Sequence, residues 1–186
     1  MSSIKGIPHT GCRRGSGFSL LELVVVIAII SVLLVLAITR LWALQVEAER
    51  VAMDQVLGSL RSALGIKVAS YFVQNDMAGV RSLTGTNPMD RLSEVPKNYL
   101  GALSGANPDT IAGGSWYFDV SGRVLVYRVR NQDYFRGGFG KPAQARFKIQ
   151  VVYEERGHRG LGGASENEIA GATLMALDPY AWVDGD

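Results

Sequence analysis

An apolar run, Leu23 to Ile38, contains no charged residue, and an acid, Glu22, stands at its head. Extended to Phe18–Thr39 it covers 22 residues. As a helix that length spans about 33 Å, close to the roughly 30 Å hydrocarbon core of a bilayer. An ionisable residue at the edge of such a segment is expensive to keep and marks a functional position by default. The segment before the run carries Lys5, Arg13 and Arg14 and no acid, so the positive-inside rule puts it in the cytoplasm and the rest outside.

The totals narrow the remainder. The chain has 186 residues, a formal charge of +2, two histidines and one cysteine. That leaves no histidine–cysteine cluster for zinc and no internal disulfide. The near-neutral charge gives no footprint for nucleic acid. Cys12 and His9 both lie before the run; His158 stands in a Gly-rich stretch, His158 to Asn167, that reads as a loop. Gly160-Leu161-Gly162-Gly163 lacks the strand, helix and lysine of a phosphate loop. Asp178, Asp184 and Asp186 could help to bind calcium, which takes six to eight oxygen ligands, but no ligand pattern is evident around them. Arg123, Arg128, Arg130 and Arg136 read as a solvated sheet face. No catalytic set emerges, no cofactor or metal is expected, and the chain is read as a non-enzyme.

Three readings fit the apolar run. An ordinary signal peptide would be cut near Val35-Leu36-Ala37, but its apolar region is usually 7–15 residues. A plain signal anchor explains the length and leaves Glu22 idle. The third reading explains both. The order Gly17-Phe18-Ser19-Leu20-Leu21-Glu22, after a short basic leader and before unbroken Val, Ile and Leu, resembles the processing site of type IV pilins and of the pseudopilins of type II secretion.

The resemblance implies that a prepilin peptidase cuts between Gly17 and Phe18 and methylates the new amine of Phe18. It implies that Glu22 acts in assembly. Other pilin or pseudopilin subunits, an inner-membrane assembly platform and the membrane itself would be the partners. The chain would start as a single-pass inner-membrane protein with a periplasmic head and end in a filament, on the surface or in the periplasm. Electrostatics gives Glu22 a role there, because its carboxylate can neutralise the Phe18 amine of a neighbouring subunit. Such a pairing is strong at low dielectric, where an unpaired charge is costly. Loss of residues 1–17 removes three cations, takes the formal charge from +2 to −1, and leaves no cysteine. A minor pseudopilin is the first alternative. A tethered or secreted binding domain with an ordinary signal is the second.

The rest of the chain predicts an α+β fold. Beyond Leu41 the positions Met53, Val56, Leu57, Leu60, Leu64, Val68 and Tyr71/Phe72 form one face of an amphipathic helix. One helix is therefore expected from Ser19 to Gln74, ended by Gln74-Asn75-Asp76. Glu47 and Arg50 are spaced to pair weakly. Residues 77–113 read as loop with a short helix started by Asn87-Pro88. Strands are expected at 115–120 and 123–130 as a hairpin across Ser121-Gly122, at 146–153, and at 173–177, where Asp178-Pro179 ends the last one. In 146–153, Phe147, Ile149, Val151 and Tyr153 share one face. The expected architecture is a long helix on a four-stranded antiparallel sheet, the order of a pilin fold. Its divisions are a leader (1–17), a membrane or filament-core helix (18–39), an amphipathic continuation (40–76) and a head (77–186). The run Trp116-Tyr117-Phe118-Asp119 followed by Gly122-Arg123-Val124-Leu125-Val126-Tyr127 also resembles minor pilins and pseudopilins, including those of the mannose-sensitive haemagglutinin pilus.

Overall fold

A computed structural model describes residues 18–155 and 167–183. The stretch His158 to Gly163, the acids Asp184 and Asp186, and the leader with Gly17 lie outside the described residues. The chain falls into two compact units, Met1–Trp42 and Ala43–Asp186, and one helix, α1 (Leu20–Val73), supplies part of each.

In the first unit, every described side chain from Leu20 to Ile38 is exposed. This 19-residue segment has a mean hydropathy of 3.2 and is long and apolar enough to cross a membrane. Its one hydroxyl, Ser31, donates to the Ile27 carbonyl one turn back at 2.7 Å, so the polar atom is satisfied inside the helix.

In the second unit α1 is amphipathic as its spacing predicts. Met53, Leu57, Leu60, Leu64 and Val68 are buried against the sheet, in one cluster with Trp116, Leu125, Phe147 and Ile149. Val56 and Tyr71 pack at the margin of that cluster, whereas Phe72 and Val73 are exposed. Of the expected Tyr71/Phe72 pair, the buried stripe continues through Tyr71. The helix stops because Asn75 takes a left-handed φ of 53°, a conformation asparagine tolerates. The Asp76 carboxylate then accepts from the Gly79 N–H at 2.7 Å and caps a second helix, α2 (Met77–Ser82). The Asn87-Pro88 signal is met by a 3-10 turn, Pro88–Arg91, with Asn87 accepting from the Met89 N–H.

The strands are β1 (Tyr99–Leu103), β2 (Ser115–Asp119), β3 (Val124–Arg128), β4 (Phe135–Gly137), β5 (Gln144–Glu155), β6 (Asn167–Ala176) and β7 (Tyr180–Trp182). Five form one sheet in the order β1-β2-β3-β5-β6, and β4 pairs β7 in a separate two-stranded ribbon. The expectation of four antiparallel strands is thus corrected. β1 is an added edge strand and runs parallel to β2, while the other pairings are antiparallel. β1 escapes sequence-based prediction because Gly101 interrupts a five-residue strand with a positive φ of 93° and the pairing shifts register there. Asp178-Pro179 does end a strand, but β6 begins earlier than 173, and β7 follows it.

The hairpin of β2 and β3 pairs Trp116 with Tyr127 and Phe118 with Leu125. Its turn is held by the Asp119 carboxylate, which accepts from the N–H groups of Ser121 and Gly122. On β5, Phe147 and Ile149 are fully buried, while Tyr153, past the register shift, is half exposed.

Candidate functional site

Of Gly17, Phe18 and Glu22, the residues singled out in the sequence, the last two are among the described residues of the first unit. Phe18 and Ser19 precede the helix, and Phe18 is 72% exposed. Ser19 makes two bonds that start α1. Its carbonyl accepts from the Leu23 N–H at 3.1 Å, and its hydroxyl accepts from the Glu22 N–H at 3.1 Å. A serine oxygen on the third helical N–H is the geometry of an N-cap. Ser19-Leu20-Leu21-Glu22 therefore has the spacing of a capping box, a local signal that reading the run only for its apolar length passes over. Glu22 lies exposed in the first turn, where the helix dipole favours a carboxylate. Phe18 stands outside the helix, so the four-residue separation of Phe18 from Glu22 is not a full helical turn.

The second unit contains a polar constellation that sequence reasoning missed. Glu49, on α1, is 9% exposed. One carboxylate oxygen accepts from the Tyr127 hydroxyl at 2.9 Å and from the Arg130 N–H at 2.7 Å. The other accepts from the Asn131 N–H at 2.9 Å and its side-chain amide at 2.6 Å. Four donors satisfy a buried anion that would otherwise be costly. Burial, reinforced by the adjacent Glu49 carboxylate, pushes the Tyr127 hydroxyl far above its ordinary value. The signal is present in the spacing: stepping the buried stripe back from Met53 by four and seven reaches Glu49 and Val46, and both are buried. Glu47 and Arg50, the pair expected from spacing, approach at 3.9 Å on the exposed side.

Of the other charged candidates, Arg128, Arg130 and Asp178 have structural partners. Arg128 donates to the Pro108 and Val129 carbonyls, and Arg130 to the Gly113 carbonyl. Arg123 sits in the hairpin turn with φ 53°, and Arg136 is exposed on β4. Asp178 is held by Arg146 through two bonds, 2.7 and 3.0 Å. Among the described residues no group of three or more His, Cys, Asp or Glu could hold a metal ion.

Comparison with known proteins adds one match. Residues 12–38 match the family model of the prokaryotic N-terminal methylation motif, which supports membership of the type IV pilin and pseudopilin family. No curated protein and no solved structure matches the chain.

Proposed function

We propose that this chain, which carries a prepilin-type methylation motif on an exposed apolar helix, is a structural subunit of a type IV pilus-like filament. The peptidase would hydrolyse the Gly17–Phe18 bond, the same enzyme would methylate the Phe18 amine, and α1 helices of several subunits would pack to exclude water. The observation that carries this reading is the coincidence of the motif with a segment whose apolar side chains are all exposed. Such a surface needs hydrocarbon or other helices around it.

Glu22 has a defined part in this scheme. Its place in the first turn puts the carboxylate at the N-terminal end of the helix, the end that Phe18 precedes. A neighbour's amine can pair with it, and a subunit added out of register would leave two charges without partners in a poorly solvated core. The motif is common to pilus subunits and to secretion pseudopilins, and it supports the filament class that the two share.

Co-expression with and without a prepilin peptidase tests the reading. The leader is lost only when the peptidase is present, and the Glu22→Ala chain is processed yet fails to enter filaments with wild-type subunits. A leader lost without the peptidase points instead to an ordinary signal sequence.

A further inference from the structure

The face of the main sheet turned away from α1 holds a groove of about 480 Å³, within the roughly 300–1,000 Å³ of small-molecule sites. It lies wholly in the second unit and is independent of the prepilin reading. Strand alternation sends Phe147 and Ile149 of β5 to the α1 side, and Gln144, Arg146, Lys148 and Gln150 to this one. Register places Val126 between Tyr117 and Arg146, so three strands supply the floor. Tyr117, Val124 and Val126 form a small apolar cluster there with Ile111.

Both walls are tied down. On one side, Ala106 packs on that cluster, and Arg128 donates to the Pro108 carbonyl at 3.3 Å. On the other, Phe139 exchanges two backbone hydrogen bonds with Gln144, and the Arg146 guanidinium lies over its ring, 3.5 Å from the centroid. Asp178 fixes that guanidinium in turn. A groove fixed in shape before a ligand arrives gives up little entropy on binding.

The polar groups left over define the ligand. Gln144 is 5% exposed. Its side-chain hydrogen bond among the described residues is long, 3.4 Å, with its carbonyl oxygen accepting from the Tyr117 hydroxyl. Its amide nitrogen, which carries two N–H donors, has no partner among those residues. In a side chain so far withdrawn from water, a ligand oxygen would satisfy those donors at a gain. Lys148 and Gln150 line the groove and likewise have no hydrogen-bond partner for their side chains among the described residues. Arg146 is balanced by Asp178, and the Lys148 charge is offset by Asp119, which also lines the groove. Without a net charge, the groove does not select an ion. It offers donors, acceptors and the apolar surface of Phe139 and Leu177 together. Hydroxyl groups both donate and accept, and a ring that carries several of them around an apolar C–H face matches that mixture.

We propose that this groove binds a neutral saccharide, with the Gln144 amide and the Lys148 ammonium donating to ring hydroxyls and Phe139 and Leu177 covering the C–H face.

Saturation-transfer NMR tests this on the full-length chain, held in a detergent without sugar headgroups. The probes are methyl β-glucoside, methyl β-galactoside and methyl α-mannoside, with glucuronate as the charged counterpart. At least one neutral glycoside binds. Gln144→Met, close in size but without the donors, weakens that binding about tenfold, and Lys148→Met by roughly three- to tenfold, as loss of a hydrogen bond does. Glu94→Gln, on an exposed residue outside the groove, leaves it unchanged. Should Gln144→Met fail to fold, Lys148→Met and the exposed Gln150→Ala carry the comparison. Absence of binding by all three neutral glycosides overturns the proposal, and so does binding that the groove variants leave unchanged. Glucuronate binding far more tightly than methyl β-glucoside overturns it too, because the groove would then be an anion site. A chain that is not cut after Gly17 would count against the prepilin reading and leave this result untouched.

Discussion

Glu49 shows what one residue can hold together. It fixes the part of α1 just beyond Ala43 to the end of β3 and the turn after it, through four hydrogen bonds at 2.6–2.9 Å. Replacing it with alanine strands buried donors as well as removing the anion, so Glu49→Ala should destabilise the second unit by about 2–4 kcal/mol. Tyr127→Phe, which removes one donor, should cost about 1 kcal/mol. Chemical unfolding followed by tryptophan fluorescence would measure both, since Trp116 lies in the adjoining core. Tyrosine burial gives a pH dependence as well. Desolvation raises Tyr99, Tyr117, Tyr127 and Tyr180 above their ordinary value of 10.0. Above pH 10 the unfolded chain then binds fewer protons than the folded one. Stability is fully present below about pH 10 and falls as pH rises beyond it. Tyr127→Phe should flatten that fall; an unchanged slope would contradict the assignment. The apolar stripe in the sequence places the core residues of α1 correctly but starts at Met53, because an acid reads as the end of an apolar face. The burial of Glu49 becomes visible only once its partners, some 80 residues away, are in place.

Among the elements, glycines separate what the fold requires from what it tolerates. In α2, a Cβ on Gly79 would collide with the Asp76 carboxylate and come within 2.6 Å of the Tyr71 ring. Gly79→Ala should therefore loosen the joint between the two helices and lower stability by more than about 1 kcal/mol, as overpacking does. In α1, Gly58 and Gly65 have nothing within 4 Å of an added Cβ. There alanine should stabilise the unassembled chain by up to about 1 kcal/mol at each site, through helix propensity alone. Thermal unfolding of the three variants gives the comparison, and a Gly79→Ala chain as stable as the wild type would refute the packing. The long elements are legible because periodicity accumulates over many residues: the sequence places α1 to within a residue at each end, and the β2–β3 hairpin is recognisable from its aromatics and its turn. The short ones are not. β4 and β7 have three residues each, too few for a period, and are held by Phe135 packing against Tyr180 and Trp182. Such a ribbon is a tertiary product, with no local signal to read.

At the scale of the molecule the chain carries an α+β unit with a packed core and a helical segment, Leu20–Ile38, none of which is buried. The first stands on its own contacts. The second requires an apolar environment, and the methylation motif that covers it supports membrane anchoring. This part is the most legible in the sequence, because leader charge, Gly17, Phe18, Glu22 and the apolar run occur in a fixed order over a short span. The head is less so: its strands can be found, but the parallel edge strand and the Glu49 constellation depend on contacts distant in sequence. A prepilin whose working form begins at Phe18 is recognised by intact mass and N-terminal sequencing of the protein from its native membrane: the first residue should be Phe18, with an added mass of about one methyl group on its amine, whereas an uncut Met1, or a start near Ile38, would contradict the prepilin reading.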